Sequence, residues 1–256
     1  MEPALRTHVD GGTATVTISN TGKRNAMTVG MWRELPPLLA RLAADPAVRA
    51  LVLTGDGGTF CAGADIGSLR DASGASEGLA VAAEEALAAF PRPTVAAIRG
   101  YCVGGGAQLA AACDLRFAEE GALFGVTPAK LGVAYPASAT RRLVRLVGPS
   151  AAKYLLFSGE LIDCARALRT GLVDEVLAEG ELDKRIAEFT AVLASRSLLT
   201  QTAAKELADG TWDVPAEAAE ARGAHWAAQA RECGEIAEGA AAFLERRAPR
   251  FRWPAG

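Results

Sequence analysis

Two short segments could do chemistry through their backbone rather than their side chains. Phe60-Cys61-Ala62-Gly63-Ala64-Asp65-Ile66 and Val103-Gly104-Gly105-Gly106-Ala107 each follow a strand-like run and open a helix-like one. A helix start leaves backbone N–H groups without internal acceptors, and the aligned peptide dipoles favour negative charge there. Glycine or alanine at such a start lets a ligand come close to the backbone. Two such turns aimed at one point would form a two-donor oxyanion hole, able to stabilise the enolate that forms when charge moves onto a thioester oxygen. Glycine triplets also mark ordinary turns, and a phosphate-binding loop is a further reading. The spacing is not G-x-G-x-x-G, however, and no Walker lysine follows.

Other chemistries have little to build on. The 256 residues contain two histidines, His8 and His225, so a histidine-based metal site and a Ser-His-Asp triad are poor candidates. No G-x-S-x-G elbow occurs. The five cysteines, Cys61, Cys102, Cys113, Cys164 and Cys233, are odd in number and form no CxxC pair, which points to free thiols in a reducing, cytoplasmic setting. Lysine and arginine total 27 against 30 aspartates and glutamates, a net charge of −3 with the signs interspersed. That excludes the basic stripe a nucleic-acid partner needs. No apolar run approaches the ~18 residues of a membrane helix. Met1-Glu2-Pro3-Ala4 has no basic-then-apolar leader pattern.

The elements that must position the two turns alternate between strand and helix. Thr13–Ile18 alternates and is β-branched, and Arg49–Thr54 and Thr94–Ile98 read as buried strands. Met31–Ala44 reads as a helix that Pro36-Pro37 should break or kink early. A glycine-rich loop runs from Gly55 to Gly63, and Asp65 is placed to cap a short helix. Asp71–Gly78 reads as a mobile loop, Leu79–Phe90 as a helix, Ala107–Ala112 as a small-residue helix and Leu115–Ala118 as a strand. From about Pro149 helix dominates, and Pro215–Arg247 is alanine-rich with Glu and Arg at helical spacing. The succession implies an α/β core with a helical appendage.

Five segments in order resemble the crotonase (enoyl-CoA hydratase/isomerase) superfamily. Gly22-Lys23-Arg24-Asn25-Ala26-Met27 is similar to its first CoA-contacting segment, and Phe60–Ile66 to its F-x-A-G-A-D-I segment. Gly100–Asp114 resembles its glycine-rich turn and following helix, and Phe124-Gly125 through Gly132 its later active-site segment. Glu238-Gly239, Ala242–Arg247 and Phe251 resemble its C-terminal signature. The resemblance implies a crotonase-like spiral of ββα units. Residues 1–195 would form the acyl-CoA-binding core, and 196–256 a C-terminal helical trimerisation region. It implies an acyl-CoA substrate, with coenzyme A as part of that substrate and no separate cofactor or metal, and a homotrimer or homohexamer. The backbone N–H groups of Ala64 and Gly105 would be the oxyanion donors. Arg24, Ala26, Ala62, Asp65, Ile66, Gly104, Pro128 and Leu131 would contact the substrate, with Phe243 and Arg246 reaching it from a neighbouring subunit. Gly58 and Gly67 stand where some relatives carry phosphate-binding lysines.

The sequence departs from that family's hydratases. They carry two glutamates that position and activate water, and here Gln108 and Pro128 stand in those places, while Pro136 stands where some isomerases have an aspartate. Glutamine and proline exchange no proton near neutral pH, and each general acid–base group is worth typically ~10²–10⁴-fold. Thr127–Tyr135 resembles the corresponding segment of the family's decarboxylases of methylmalonyl-CoA and related thioesters, which keep a tyrosine at the place of Tyr135. The expectation is therefore decarboxylation of a malonyl-type CoA thioester, with Ala64 and Gly105 holding the thioester oxygen, Tyr135 orienting the carboxylate and Gln108 assisting. A hydratase or isomerase using other groups, and a non-catalytic acyl-CoA-binding paralogue, are the competing readings.

Overall fold

The structure is a computed structural model, which describes residues 2–65, 67, 75–210 and 214–253. In chain order the elements begin with β1 (Ala4–Asp10), β2 (Thr13–Ser19), α1 (Val29–Ala44), β3 (Ala50–Gly55), α2 (Ala75–Ala88), β4 (Thr94–Ile98), β5 (Tyr101–Val103) and α3 (Gly105–Ala112). They continue with β6 (Leu115–Glu119), β7 (Leu123–Gly125), α4 (Ala137–Ser158), β8 (Ile162–Asp163), α5 (Cys164–Thr170), β9 (Glu175–Leu177) and α6 (Leu182–Ser195). The last three helices are α7 (Leu198–Gly210), α8 (Ala216–Glu232) and α9 (Glu235–Leu244).

A six-stranded sheet of order β1-β2-β3-β4-β6-β9 forms the main layer, antiparallel between β1 and β2 and parallel elsewhere. Its inner strands are apolar on both faces because both are covered. Leu51, Leu53, Ala96 and Ile98 face the main core with α1, α2 and α3, while Val52, Val95, Ala97 and Phe117 pack against Leu182 and Ile186 of α6. A smaller sheet of order β5-β7-β8 lies outside the main layer. Two isolated parallel bridges, Met27 to Ala64 and Cys61 to Cys102, extend it toward earlier segments of the chain.

This arrangement makes the chain a coil of similar turns. Each parallel strand of the main sheet hands the chain to a short segment of the second layer, and that segment leads to a helix. β2 leads through 24–27 to α1, β3 through 60–64 to α2, β4 through β5 to α3, and β6 through β7 to α4. The expected spiral of ββα units is thus present. Both glycine-rich turns occupy the same position, the end of the second-layer segment, in successive units.

Several local expectations change. α1 runs unbroken through Pro36 and Pro37. An interior proline costs about 3 kcal/mol, but Met31, Trp32, Leu35, Leu38, Leu39 and Leu42 are all buried along one face. Burial of each such side chain contributes roughly 1.5–3 kcal/mol, enough to hold the helix together. β1 escapes notice in the sequence because its outer edge leaves most of its residues exposed. Helix does not take over fully after Pro149, since β8 and β9 close the two sheets. α4 is kinked at Gly148, which adopts φ 74° and ψ 165° just before Pro149. α2 starts at Ala75, so Gly78 belongs to a helix, and 71–74 of the expected loop lie outside the described residues. Among the described residues no helix is long and apolar enough to cross a membrane, and no group of three or more His, Cys, Asp or Glu gathers as for a metal.

Candidate active site

Successive units of the coil bring the two turns into contact. A Cβ added at Gly63 would lie 3.0 Å from the Val103 carbonyl oxygen and 3.3 Å from the Gly105 nitrogen. One added at Gly105 would lie 3.5 Å from the Ala64 nitrogen and 2.9 Å from the Trp32 ring. One at Gly106 would fall 2.2 Å from the Cys61 carbonyl oxygen. Glycine is therefore required at these points by the close approach of backbone to backbone, and Gly63 also needs it for its φ of 107°.

The hydrogen-bond pattern decides which N–H groups are available. Met27 N–H donates to the Gly63 carbonyl at 2.8 Å and Asp65 N–H to the Met27 carbonyl at 2.9 Å. In a parallel ladder the intervening residue points its own N–H the other way, and that residue is Ala64. In the next unit Gly104 N–H donates to the Gly125 carbonyl at 2.9 Å, and the Gly104 carbonyl accepts from Gln108 N–H at 3.0 Å. Gly105 is then the first residue of α3, where no intrahelical acceptor exists. Among the described residues neither the Ala64 nor the Gly105 N–H has an acceptor. Two unsatisfied donors, side by side on neighbouring turns with a helix dipole behind one of them, can stabilise a developing oxyanion.

Segments 23–27 and 60–65 run beside each other and lead into the first of these turns. Arg24 is left-handed (φ 50°), gives its carbonyl to the Ala62 N–H at 2.9 Å, and stacks its guanidinium over the Tyr101 ring with 4.6 Å to the centroid. Lys23 Nζ reaches Asp65 Oδ2 at 2.6 Å, and the Gly67 N–H donates to Asp65 Oδ1 at 3.1 Å. Those two bonds hold the Asp65 carboxyl below its ordinary range. Ala26 is buried and Ala62 half-buried. Ile66 lies outside the described residues.

The surroundings of Gln108 contain a group the sequence reading missed. Gln108 is buried one turn beyond Gly104, and its Nε2 donates to Glu84 Oε2 at 2.7 Å. Glu84, on α2, is fully buried; Arg142 Nη1 is hydrogen-bonded to its Oε1, and Ser138 Oγ donates to its Oε2 at 3.2 Å. Arg142 also lies 3.5 Å from Glu85. The sequence carried a signal for Glu84: it shares a helix face with Ala80 and Leu87, so an acid stands on the apolar stripe of α2. Gln108, Pro128 and Pro136 still stand in the places of the family's acids, but Gln108 has a carboxylate, Glu84, as its direct partner. Tyr135 packs against the main core just before α4. Burial, then the Glu84 charge, pushes its hydroxyl well above the usual tyrosine value, so it stays a proton-bearing donor. Pro128 opens a single helical turn, Pro128–Lys130, and Leu131 beside it is exposed.

The family model for enoyl-CoA hydratase/isomerase matches residues 8–253. The chain belongs to the enoyl-CoA hydratase/isomerase family. A bovine enoyl-CoA hydratase domain-containing protein 2 is 36% identical to it, the match covering 94% of this chain and 84% of that protein. The 2,3-dehydroadipyl-CoA hydratase of Escherichia coli is 30% identical over 93% of this chain and 94% of that one. A crystal structure of an enoyl-CoA hydratase/isomerase family member superposes with a TM-score of 0.92 at 37% identity, covering 99% of each chain.

In this family member two of the expected site residues are not brought to the turns by the chain itself. Phe243 and Arg246 sit at the end of α9, which packs on α8. The start of α9 carries Glu235, whose charge acts on Arg49, at the end of β3 opposite to the turns. Phe243 is 84% exposed. A cavity of about 450 Å³ between Cys233, Glu235, Glu238, Arg247, Arg250 and Arg252 also belongs to this end of the molecule. The cysteines beside the turns are packing groups. Cys61 and Cys102 are fully buried, and desolvation pushes the Cys61 thiol up to about 12 and that of Cys102 well above its ordinary value.

Proposed function

We propose that this family member binds an acyl-CoA thioester, holds its carbonyl oxygen on the N–H groups of Ala64 and Gly105, and decarboxylates a malonyl-type acyl group. The observation that carries the oxyanion part is the pair of acceptor-free N–H groups on adjoining turns. Loss of CO2 from a 2-carboxyacyl thioester leaves its electron pair as the enolate and needs no base. The residues around the turns fit that demand. Gln108 is an amide, Pro128 has no polar side chain, and the Tyr135 hydroxyl is held protonated, a neutral donor suited to orienting the departing carboxylate. Glu84 does not oppose an anionic acyl group as a free charge would, because the Arg142 guanidinium is paired with it. Incubation with malonyl-, methylmalonyl- and ethylmalonyl-CoA, followed for CO2 and the shortened acyl-CoA, tests this directly. Turnover of at least one is expected, with Tyr135→Phe lowering kcat; turnover of none would overturn the reading.

The names of the relatives favour a second reading, an enoyl-CoA hydratase. Efficient hydration of crotonyl-CoA would support it over decarboxylation. We further propose that copies of the chain associate through α9, whose Ile236, Phe243 and Leu244 are exposed. A homotrimer or homohexamer would then let Phe243 and Arg246 reach a neighbour's acyl-CoA.

A further inference from the structure

We infer that Glu84 is a positioning residue, which fixes the sense of the Gln108 amide so that its carbonyl oxygen is turned toward the place beside the oxyanion donors. The argument begins with helix geometry. Gln108 lies three residues after Gly105 on α3, and side chains on a helix lean toward its N-terminus, so Gln108 leans over the turn that carries the Gly105 N–H. A glutamine amide offers either two N–H donors or one carbonyl acceptor to whatever it faces. A carboxylate only accepts. With Glu84 Oε2 at 2.7 Å from Nε2, one N–H of Gln108 is taken and the amide nitrogen is held on the Glu84 side, so its carbonyl oxygen is turned the other way, toward the proposed acyl site. Among the described residues that oxygen has no partner.

Three contacts keep Glu84 in place. Arg142 is bonded to Oε1, while Ser138 and Gln108 share Oε2. Among the described residues the charged group that meets it from a neighbouring element is Arg142 of α4, which also lies 3.5 Å from Glu85 on the same helix as Glu84, and the Glu84 charge acts on the Tyr135 hydroxyl. Glu84 and Gln108 form a carboxylate–amide pair whose two members could exchange places without losing the hydrogen bond. As the pair stands, the carboxylate is one hydrogen bond away from the acyl pocket and the amide is next to it. Exchanging them would place a base beside the oxyanion hole. That base could take an α-proton from an acyl-CoA, the electron pair moving onto the thioester oxygen as the enolate, and return a proton from solvent.

The inference rests on the proposed acyl-CoA site, and two measurements separate its failure from the failure of the decarboxylase reading. The first is a double-mutant cycle on decarboxylation with E84Q, Q108A and E84Q/Q108A. A neutral amide at position 84 can give or take the bond, so Gln108 is no longer forced one way, and kcat should fall roughly 10- to 100-fold with KM little changed. In the Q108A background the same change should alter kcat by about twofold or less, because the two residues act as a unit. Independent, multiplying effects would overturn the inference. The second measurement needs no decarboxylation: exchange of the α-protons of butyryl-CoA with D2O. The wild type should show none above background, and E84Q/Q108E should exchange at a rate that is flat around neutral pH. Q108E alone should exchange with its pH profile displaced upward by about one unit or more, because two carboxylates then share one short contact. Coincident profiles, or no exchange by either variant, would overturn the inference. Thermal melts accompany every variant. Should E84Q not fold, E84Q/R142M removes the charge with its counter-ion and carries the same cycle.

Discussion

At the residue scale the site is made by what is missing from side chains. The Ala64 and Gly105 nitrogens, which have no acceptor among the described residues, adjoin because Gly63, Gly105 and Gly106 let two backbone turns touch. Gly106 shows how little room remains. A methyl group there would meet the Cys61 carbonyl oxygen at 2.2 Å, a backbone atom that cannot rotate away. Gly106→Ala should therefore destabilise the protein by at least roughly 1–3 kcal/mol, as overpacking does. By moving one turn relative to the other, it should also lower activity by about 100-fold. Urea unfolding and steady-state kinetics on the same preparation would read both. A variant with normal stability and normal kcat would show that the turns need not touch.

At the element scale the decisive contact is the one between α2, α3 and α4. Glu84, Gln108 and Arg142 come from three different helices, and the fully buried Glu84 carboxylate depends on a guanidinium that is itself only 23% exposed. Removing one partner of such a pair leaves an uncompensated charge in the interior. Arg142→Met should cost roughly 3–5 kcal/mol, and adding Glu84→Gln should recover most of it, since an uncharged pair is often neutral. Chemical denaturation of the single and double variants gives the comparison. The same scale explains α1, where a buried face overrules two prolines, and β1, whose exposed residues hid it from pattern reading.

At the scale of the whole molecule the interior keeps its thiols uncharged. Cys61, Cys102 and Cys113 are all fully buried thiols with raised values, the first and last at about 12 against an ordinary 9.0. In the unfolded chain these thiols release their protons near the ordinary value, whereas the folded chain keeps them to much higher pH. Between those limits the folded state holds more protons, so raising the pH favours unfolding. Stability should be level below pH 9 and then fall by roughly 1.4 kcal/mol per pH unit for each such thiol. Urea midpoints measured between about pH 8 and pH 11 should decline accordingly, and Cys113→Ala should flatten the slope.

Much of this protein is legible without coordinates. The glycine-rich turns, the alternating strands and helices and the α-helical tail follow from local rules, because backbone conformation and helix or strand periodicity are written in neighbouring residues. The two donors, Ala64 and Gly105, are named by the family resemblance; a helix start leaves the Gly105 N–H unpaired, whereas the Ala64 N–H is left over by the ladder with Met27, which belongs to the tertiary structure. Only the tertiary structure decided that the turns of residues 60–65 and 103–106 adjoin, because their contact spans about forty residues of chain and depends on the parallel pitch of the coil. It alone put Glu84 against Gln108. A single acid on the apolar stripe of α2 has no sequence neighbour to explain it, and its partners, Gln108, Ser138 and Arg142, become visible only once three helices converge on one buried point.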